Sequence, residues 1–165
     1  MVVLWWVACA HRAATTTPGS RPVAVEYYAV EGRTADDAIA ETRRVGPVIG
    51  TERWSAKTNW KVHWHSEGDD CRDVTLTASV TMVLPRWEPA EASADERGRW
   101  TRFVERLTRH EQGHVDLDLA MIEDLPKRIA AAGCGHQKEA TEAAFAKLNG
   151  DNAEYDRVTD HGLKP

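Results

Sequence analysis

Val74, Leu76, Ala78, Val80, Met82 and Leu84 alternate with Thr75, Thr77, Ser79 and Thr81. Period two is the signature of a half-buried strand, and Pro85 is its expected end. Thr58, Trp60, Val62 and Trp64 alternate in the same way with Asn59, Lys61, His63 and His65. The polar Ser66–Asp70 stretch with Gly68 separates the two runs, so they predict an antiparallel hairpin. Val23 to Val30 reads as an earlier strand, and Thr34 caps a helix that runs to about Arg44 and stops at Gly46-Pro47. Ser93 and Glu96 have the spacing of a capping box. The thirty residues after them carry Trp100, Phe103, Leu107, His110, His114, Leu117 and Met121 at three- and four-residue steps, which is a long amphipathic helix. Pro126 is expected to bend or divide it, and Gly133 and Gly135 mark a turn. A shorter helix follows from about Gln137 to Leu148, stopped at Asn149-Gly150, with an irregular tail from Asp151 to Pro165.

Strands gathered early and helices gathered late predict an α+β class. The expected body is a small antiparallel sheet on one long helix, with a shorter helix behind it. Nothing in the spacing points to a repeat or a second domain, and 165 residues suit one core. The organisation expected is a tether over residues 1–21 and one domain over 22–165. A net charge of −5 with no basic stripe argues against a nucleic-acid partner. Seven tryptophans are many for this length, and most are expected in the core.

The start, Met1 to Ala10, is apolar but too short to span a membrane. It resembles the hydrophobic region of an export signal that lacks its basic start. Ala8-Cys9 also resembles the end of a lipoprotein signal, so membrane attachment is expected through this segment or not at all. The reading is a secreted or periplasmic protein. If Cys9 belongs to the export segment, Cys71 and Cys134 remain as an even pair, and in an exported protein that predicts one disulfide.

Candidate chemistry centres on His110-Glu111-Gln112-Gly113-His114. On a helix, positions i and i+4 share a face, so both imidazoles reach one ion, and the glutamate lies beside them to handle a water. The histidines continue the apolar stripe rather than the solvated side. Two buried imidazoles and a carboxylate need partners there, and a metal supplies them. The competing view is a pair of hydrogen-bonded core histidines with Glu111 exposed. A catalytic zinc site takes three protein ligands and a water. The candidates for the third are Asp118, which is better suited to hydrogen-bonding a ligand imidazole, and Glu139 and Glu142 on the next helix, while composition alone leaves His161 in the tail unassigned. His136 reads as a surface residue, and His63 and His65 as solvent-facing residues of a strand. Tyr155 could donate a hydrogen bond to an oxyanion or anchor the tail.

The sequence resembles a family of predicted secreted bacterial zinc-dependent proteases, domain of unknown function 922. The residues that carry the resemblance are Thr58-Asn59-Trp60-Lys61-Val62-His63-Trp64, Cys71-Arg72, Leu84-Pro85-Arg86-Trp87, Trp100, the HExxH stretch, and Tyr155-Asp156 through His161-Gly162. The resemblance covers roughly Tyr27 to Gly162. It implies a zincin-like fold, a Cys71–Cys134 pair and His161 as the third zinc ligand beside His110 and His114, with Glu111 as general base. The expected function is a Zn²⁺-dependent metallopeptidase of the envelope or secreted fraction, acting on peptides or proteins. The alternative is a non-catalytic exported module in which zinc is structural and the domain binds envelope proteins or glycan.

Overall fold

The computed structural model describes residues 23–162. The expectations for the export segment, the tether and Cys9 lie outside those residues. Five strands and three helices follow in the order β1 (Val23–Val30), α1 (Ala35–Val45), β2 (Val48–Ile49), β3 (Glu52–Arg53), β4 (Lys57–Glu67), β5 (Asp73–Trp87), α2 (Ala94–Ala132) and α3 (Gln137–Thr159). The molecule is α+β, as the patterning implied. β4 and β5 form the expected antiparallel hairpin, with Trp60 opposite Val80 and Trp64 opposite Leu76.

The sheet is mixed rather than antiparallel. Its order is β1-β5-β4, and β1 runs parallel to β5, with Val23 opposite Val80 and Val30 opposite Trp87. Strand periodicity fixes which face is buried and carries no sign of strand direction. The direction follows from α1, the β2–β3 hairpin and β4, which intervene before β5 and let the chain return to lay it beside β1. Pro85 does not end β5. Pairing with β4 stops at Val83, so Pro85 sits where β5 has only β1 beside it, and one missing donor is tolerated.

α2 is continuous from Ala94 to Ala132, with Pro126 inside it. A proline removes one helical hydrogen bond and crowds the preceding turn. Here Ile122, Leu125, Pro126 and Ile129 are all buried, and that packing holds the helix through the defect. Ser93 caps the helix by accepting from the Glu96 amide, as expected, but the other half of the capping box is not made. The Glu96 carboxylate instead accepts from the Ala35 amide at 2.5 Å and ties the start of α1 to the start of α2.

The inner face of the sheet packs on α2 through Val80, Met82, Leu84, Val115 and Ile122. A second cluster joins Trp87 and Trp100 to Val30 and the α1 alanines, and a third brings α3 in through Ala144 against Leu125, Ile129 and Val74. Among the described tryptophans, Trp87 and Trp100 are buried, while Trp54, Trp60 and Trp64 are half-buried. Cys71 and Cys134 are joined by a disulfide with Cα atoms 5.3 Å apart. It links the β4–β5 turn to the α2–α3 turn. No helix among the described residues is long and apolar enough to cross a membrane.

α3 departs most from expectation. It does not stop at Gly150 but runs on to Thr159. The stretch expected to be irregular is its last two and a half turns, and this extension builds the site.

Candidate metal centre

α2 and α3 lie side by side, and the HExxH turn of α2 meets the last turns of α3. His110 and Glu111 are buried and His114 nearly so. From α3, Asn152, Tyr155, Asp156 and Thr159 stand at i, i+3, i+4 and i+7, which is one face of a helix. Each of the four meets the HExxH turn. Asp156 Oδ1 lies 3.1 Å from His110 Nε2 and 3.0 Å from His114 Nε2, and the two Nε2 atoms are 3.3 Å apart. The Nδ1 atoms face away from this point, that of His114 to Asn152 Oδ1 at 2.7 Å and that of His110 to Thr159 Oγ1 at 3.3 Å. The Tyr155 ring lies nearly parallel to His110, centroids 5.2 Å apart at 13°, and edge-on to His114.

Gly113 makes that arrangement sterically feasible. A Cβ at this position would sit 2.2 Å from the Tyr155 ring, far inside contact distance. The second variable residue of HExxH is thus the seat of the tyrosine. Gly162, just past α3, packs in the same way on His110, 2.9 Å from a Cβ placed on it to the His110 Cβ.

Glu111 points to the sheet side of α2. Thr58, near the start of β4, donates to Glu111 Oε2 at 2.7 Å. Burial raises the carboxyl's pKa above its ordinary value, against the Thr58 bond and the nearby histidines, which favour the charged form. Asp156 goes the other way. Burial pushes it up, but hydrogen bonds and positive charge from His110 and His114 outweigh that and hold it well below the usual carboxylate range. For His114, burial opposes protonation, and the bonds to Asp156 and Asn152 overcome it and raise the pKa. Asp118, one turn after His114 and 2% exposed, is pushed up to about 6 by burial, while Asn152 Nδ2 donates to its Oδ1 at 3.4 Å.

His110, His114 and Asp156 form the group of metal-competent donors among the described residues. His161, expected as third ligand, stands beside this group. Its Nδ1 is 3.5 Å from the same Asp156 oxygen, its side chain is 47% exposed, and its ring packs on Trp54 at 4.6 Å. Glu139 and Glu142 are exposed near the start of α3, and Glu142 pairs with Lys138. His63, His65 and His136 are exposed, as expected. The sequence reading gave no role to Asp156, Asn152, Thr159 or Thr58. The signal for the first three was their helical spacing, which disappears when Asn149-Gly150 is taken as a stop.

A groove of about 1100 Å³ lies along α2, and Gly113, Asp116 and Tyr155 are among the residues that line it. Tyr27, Trp87, Trp100 and Val104 give it apolar walls, and Arg109 and Gln112 give it polar ones.

The donor set suits a divalent metal. Two imidazole nitrogens and one carboxylate oxygen are a catalytic zinc complement, and their atoms already lie within one coordination sphere of a common point. No curated protein and no solved structure matches the chain. One family does, over residues 25–162, a span that contains both histidines, Glu111, Asp156 and the disulfide. With nearly every described residue inside that match, the chain belongs to the family described as bacterial protein of unknown function (DUF922).

Proposed function

We propose that this protein is a metal-dependent hydrolase, a zinc metallopeptidase working outside the cytoplasm. The observation that carries the reading is the convergence of His110 Nε2, His114 Nε2 and Asp156 Oδ1 within 3.0–3.3 Å of one another, with Glu111 on the adjoining residue. Zinc bound there would supply Lewis acidity and lower the pKa of a water it holds towards about 7. The chain does the rest. Glu111, oriented by Thr58, takes a proton from the water and passes it to the leaving amine. Burial raises its pKa above the ordinary carboxylate value, the direction that favours holding the transferred proton. Three protein donors among the described residues leave room for a water, which favours catalysis over a purely structural ion. Asp156 is the third ligand in this reading, and His161 stands beside it with Nδ1 3.5 Å from the same carboxylate oxygen.

A polymeric substrate fits the surroundings. The groove is larger than a small molecule needs, with the aromatic side chains of Tyr27, Trp87 and Trp100 set among charged ones such as Arg86, Glu105 and Asp116. Among the described residues the sheet has two outer strands, β1 and β4, and an outer strand can pair with an extended peptide. The Cys71–Cys134 disulfide is compatible with an extracytoplasmic location.

The experiment is metal content together with hydrolysis of an unstructured protein such as casein. The wild type should bind close to one equivalent of zinc. Glu111→Gln should keep the metal and lose hydrolysis at least about 100-fold. Asp156→Ala should lose most of the zinc, and His161→Ala should retain it. Loss at His161→Ala with retention at Asp156→Ala would restore His161 as third ligand. A wild type that takes up no zinc at micromolar free metal would end the enzyme reading.

A further inference from the structure

We propose that Asn152, backed by Asp118, and Thr159 are positioning residues. They hold a proton on Nδ1 of His114 and His110 and so dedicate both Nε2 atoms to the metal. This rests on the metal centre proposed above. It extends that centre to residues that touch no metal.

The argument is one of donors and acceptors. Asn152 Nδ2 donates to Asp118 Oδ1 at 3.4 Å, so the nitrogen side of the amide faces the carboxyl. That fixes the orientation of the amide. Its oxygen then faces His114 Nδ1 at 2.7 Å, and an acceptor at that distance requires the proton to be on Nδ1. Imidazole that carries its proton on Nδ1 has a lone pair on Nε2 alone. Asp118 is 2% exposed, so water cannot readily replace Asn152 as its partner.

Thr159 reaches the same result by another route. Its hydroxyl donates to the Tyr155 carbonyl at 2.7 Å, one turn back along α3. With its hydrogen committed, Oγ1 can only accept, and the group it faces is His110 Nδ1 at 3.3 Å. Both histidines are therefore set the same way, by residues four before and three after Asp156 on one helix. Without such partners either ring could turn or bind through the other nitrogen, and ligands held by fixed partners bind metal more tightly.

The test measures zinc affinity by competition with a chelator, in wild type, Asn152→Leu and Asp118→Asn. Asn152→Leu keeps the approximate volume and removes the acceptor. Its zinc affinity should fall 10- to 100-fold. Asp118→Asn lets the Asn152 amide turn over, and its affinity should fall towards the lower end of that range. The melting temperature of the metal-free protein separates positioning from folding, and for Asp118→Asn it should not drop. In the zinc-loaded wild type, ¹⁵N spectra of labelled histidine should show metal on Nε2 and a hydrogen-bonded Nδ1–H for both residues. Metal on Nδ1 of either histidine would overturn the assignment for that residue. Unchanged affinity in both variants would overturn the Asn152–Asp118 part while leaving the metal centre standing. A wild type without zinc affinity would remove the centre itself.

Discussion

At the residue scale, two residues carry predictions the fold makes unusually direct. Gly113 is one. A methyl group there must displace Tyr155, which covers His110, so Gly113→Ala should destabilise the protein by about 1–3 kcal/mol, the usual cost of forcing volume into a filled site. Ordinarily glycine to alanine inside a helix is stabilising. A rise in melting temperature would therefore show that Tyr155 is not seated against this helix. Asp118 is the other. Its carboxyl is pushed up to about 6 by burial, above its ordinary 3.8, so the folded state resists its ionisation. The cost is complete above pH 6, shrinks as pH falls through that value, and is gone below the unfolded pKa. Asp118→Asn removes the charge. The metal-free variant should be more stable than wild type at pH 8, by on the order of 2 kcal/mol, and indistinguishable from it near pH 4. A gain that did not change with pH would trace to packing instead.

At the element scale, the same physics explains what could be read from sequence and what could not. β4, β5 and the HExxH face of α2 were legible because a half-buried element must repeat its apolar residues with its own period. The caps at Thr34 and Ser93 were legible because they satisfy local amides. The pairing of β1 was not, since a parallel partner 57 residues away, as Val23 is from Val80, leaves no local mark. The length of α3 was not either, because Asn149-Gly150 is a stop signal that tertiary contacts override. Those contacts are the polar ones of Asn152, Asp156 and Thr159 to α2, which no hydrophobic period reports. The meeting of Asp156 with both histidines left no mark in the sequence for the same reason. The override leaves a testable weak point. Gly150 is helical, exposed and has nothing within 4 Å of a would-be Cβ. Gly150→Ala should stabilise the protein by roughly 0.5–1 kcal/mol in chemical denaturation, with zinc affinity unchanged or slightly improved. Destabilisation would mean that the helix does not run through this position.

At the scale of the whole molecule, the centre depends on α3 keeping its register against α2, and the molecule secures that helix at both ends. At its start, the Cys71–Cys134 bridge closes a span of 63 residues, and Gln137 donates to the Cys71 carbonyl at 2.9 Å while accepting from Ser66. At its end, Asp156 and its neighbours lock onto the histidines. The two anchors are separated by roughly 28 Å of helix, taking Gln137 to Asp156 at about 1.5 Å per residue. Between them Ala144 and Leu148 pack in the core, so the central part of α3 does not depend on the disulfide alone. The two anchors should therefore separate experimentally. A loop of this length gives a bridge worth about 4 kcal/mol through the unfolded chain. Cys71→Ser/Cys134→Ser should lower the melting temperature by many degrees. Where the double variant remains folded, its zinc stoichiometry should match wild type. Zinc should also recover part of the lost stability, because binding to the folded state alone adds RT ln(1 + [L]/Kd). A folded double variant that no longer holds metal would show instead that the bridge sets the register of α3 along its whole length.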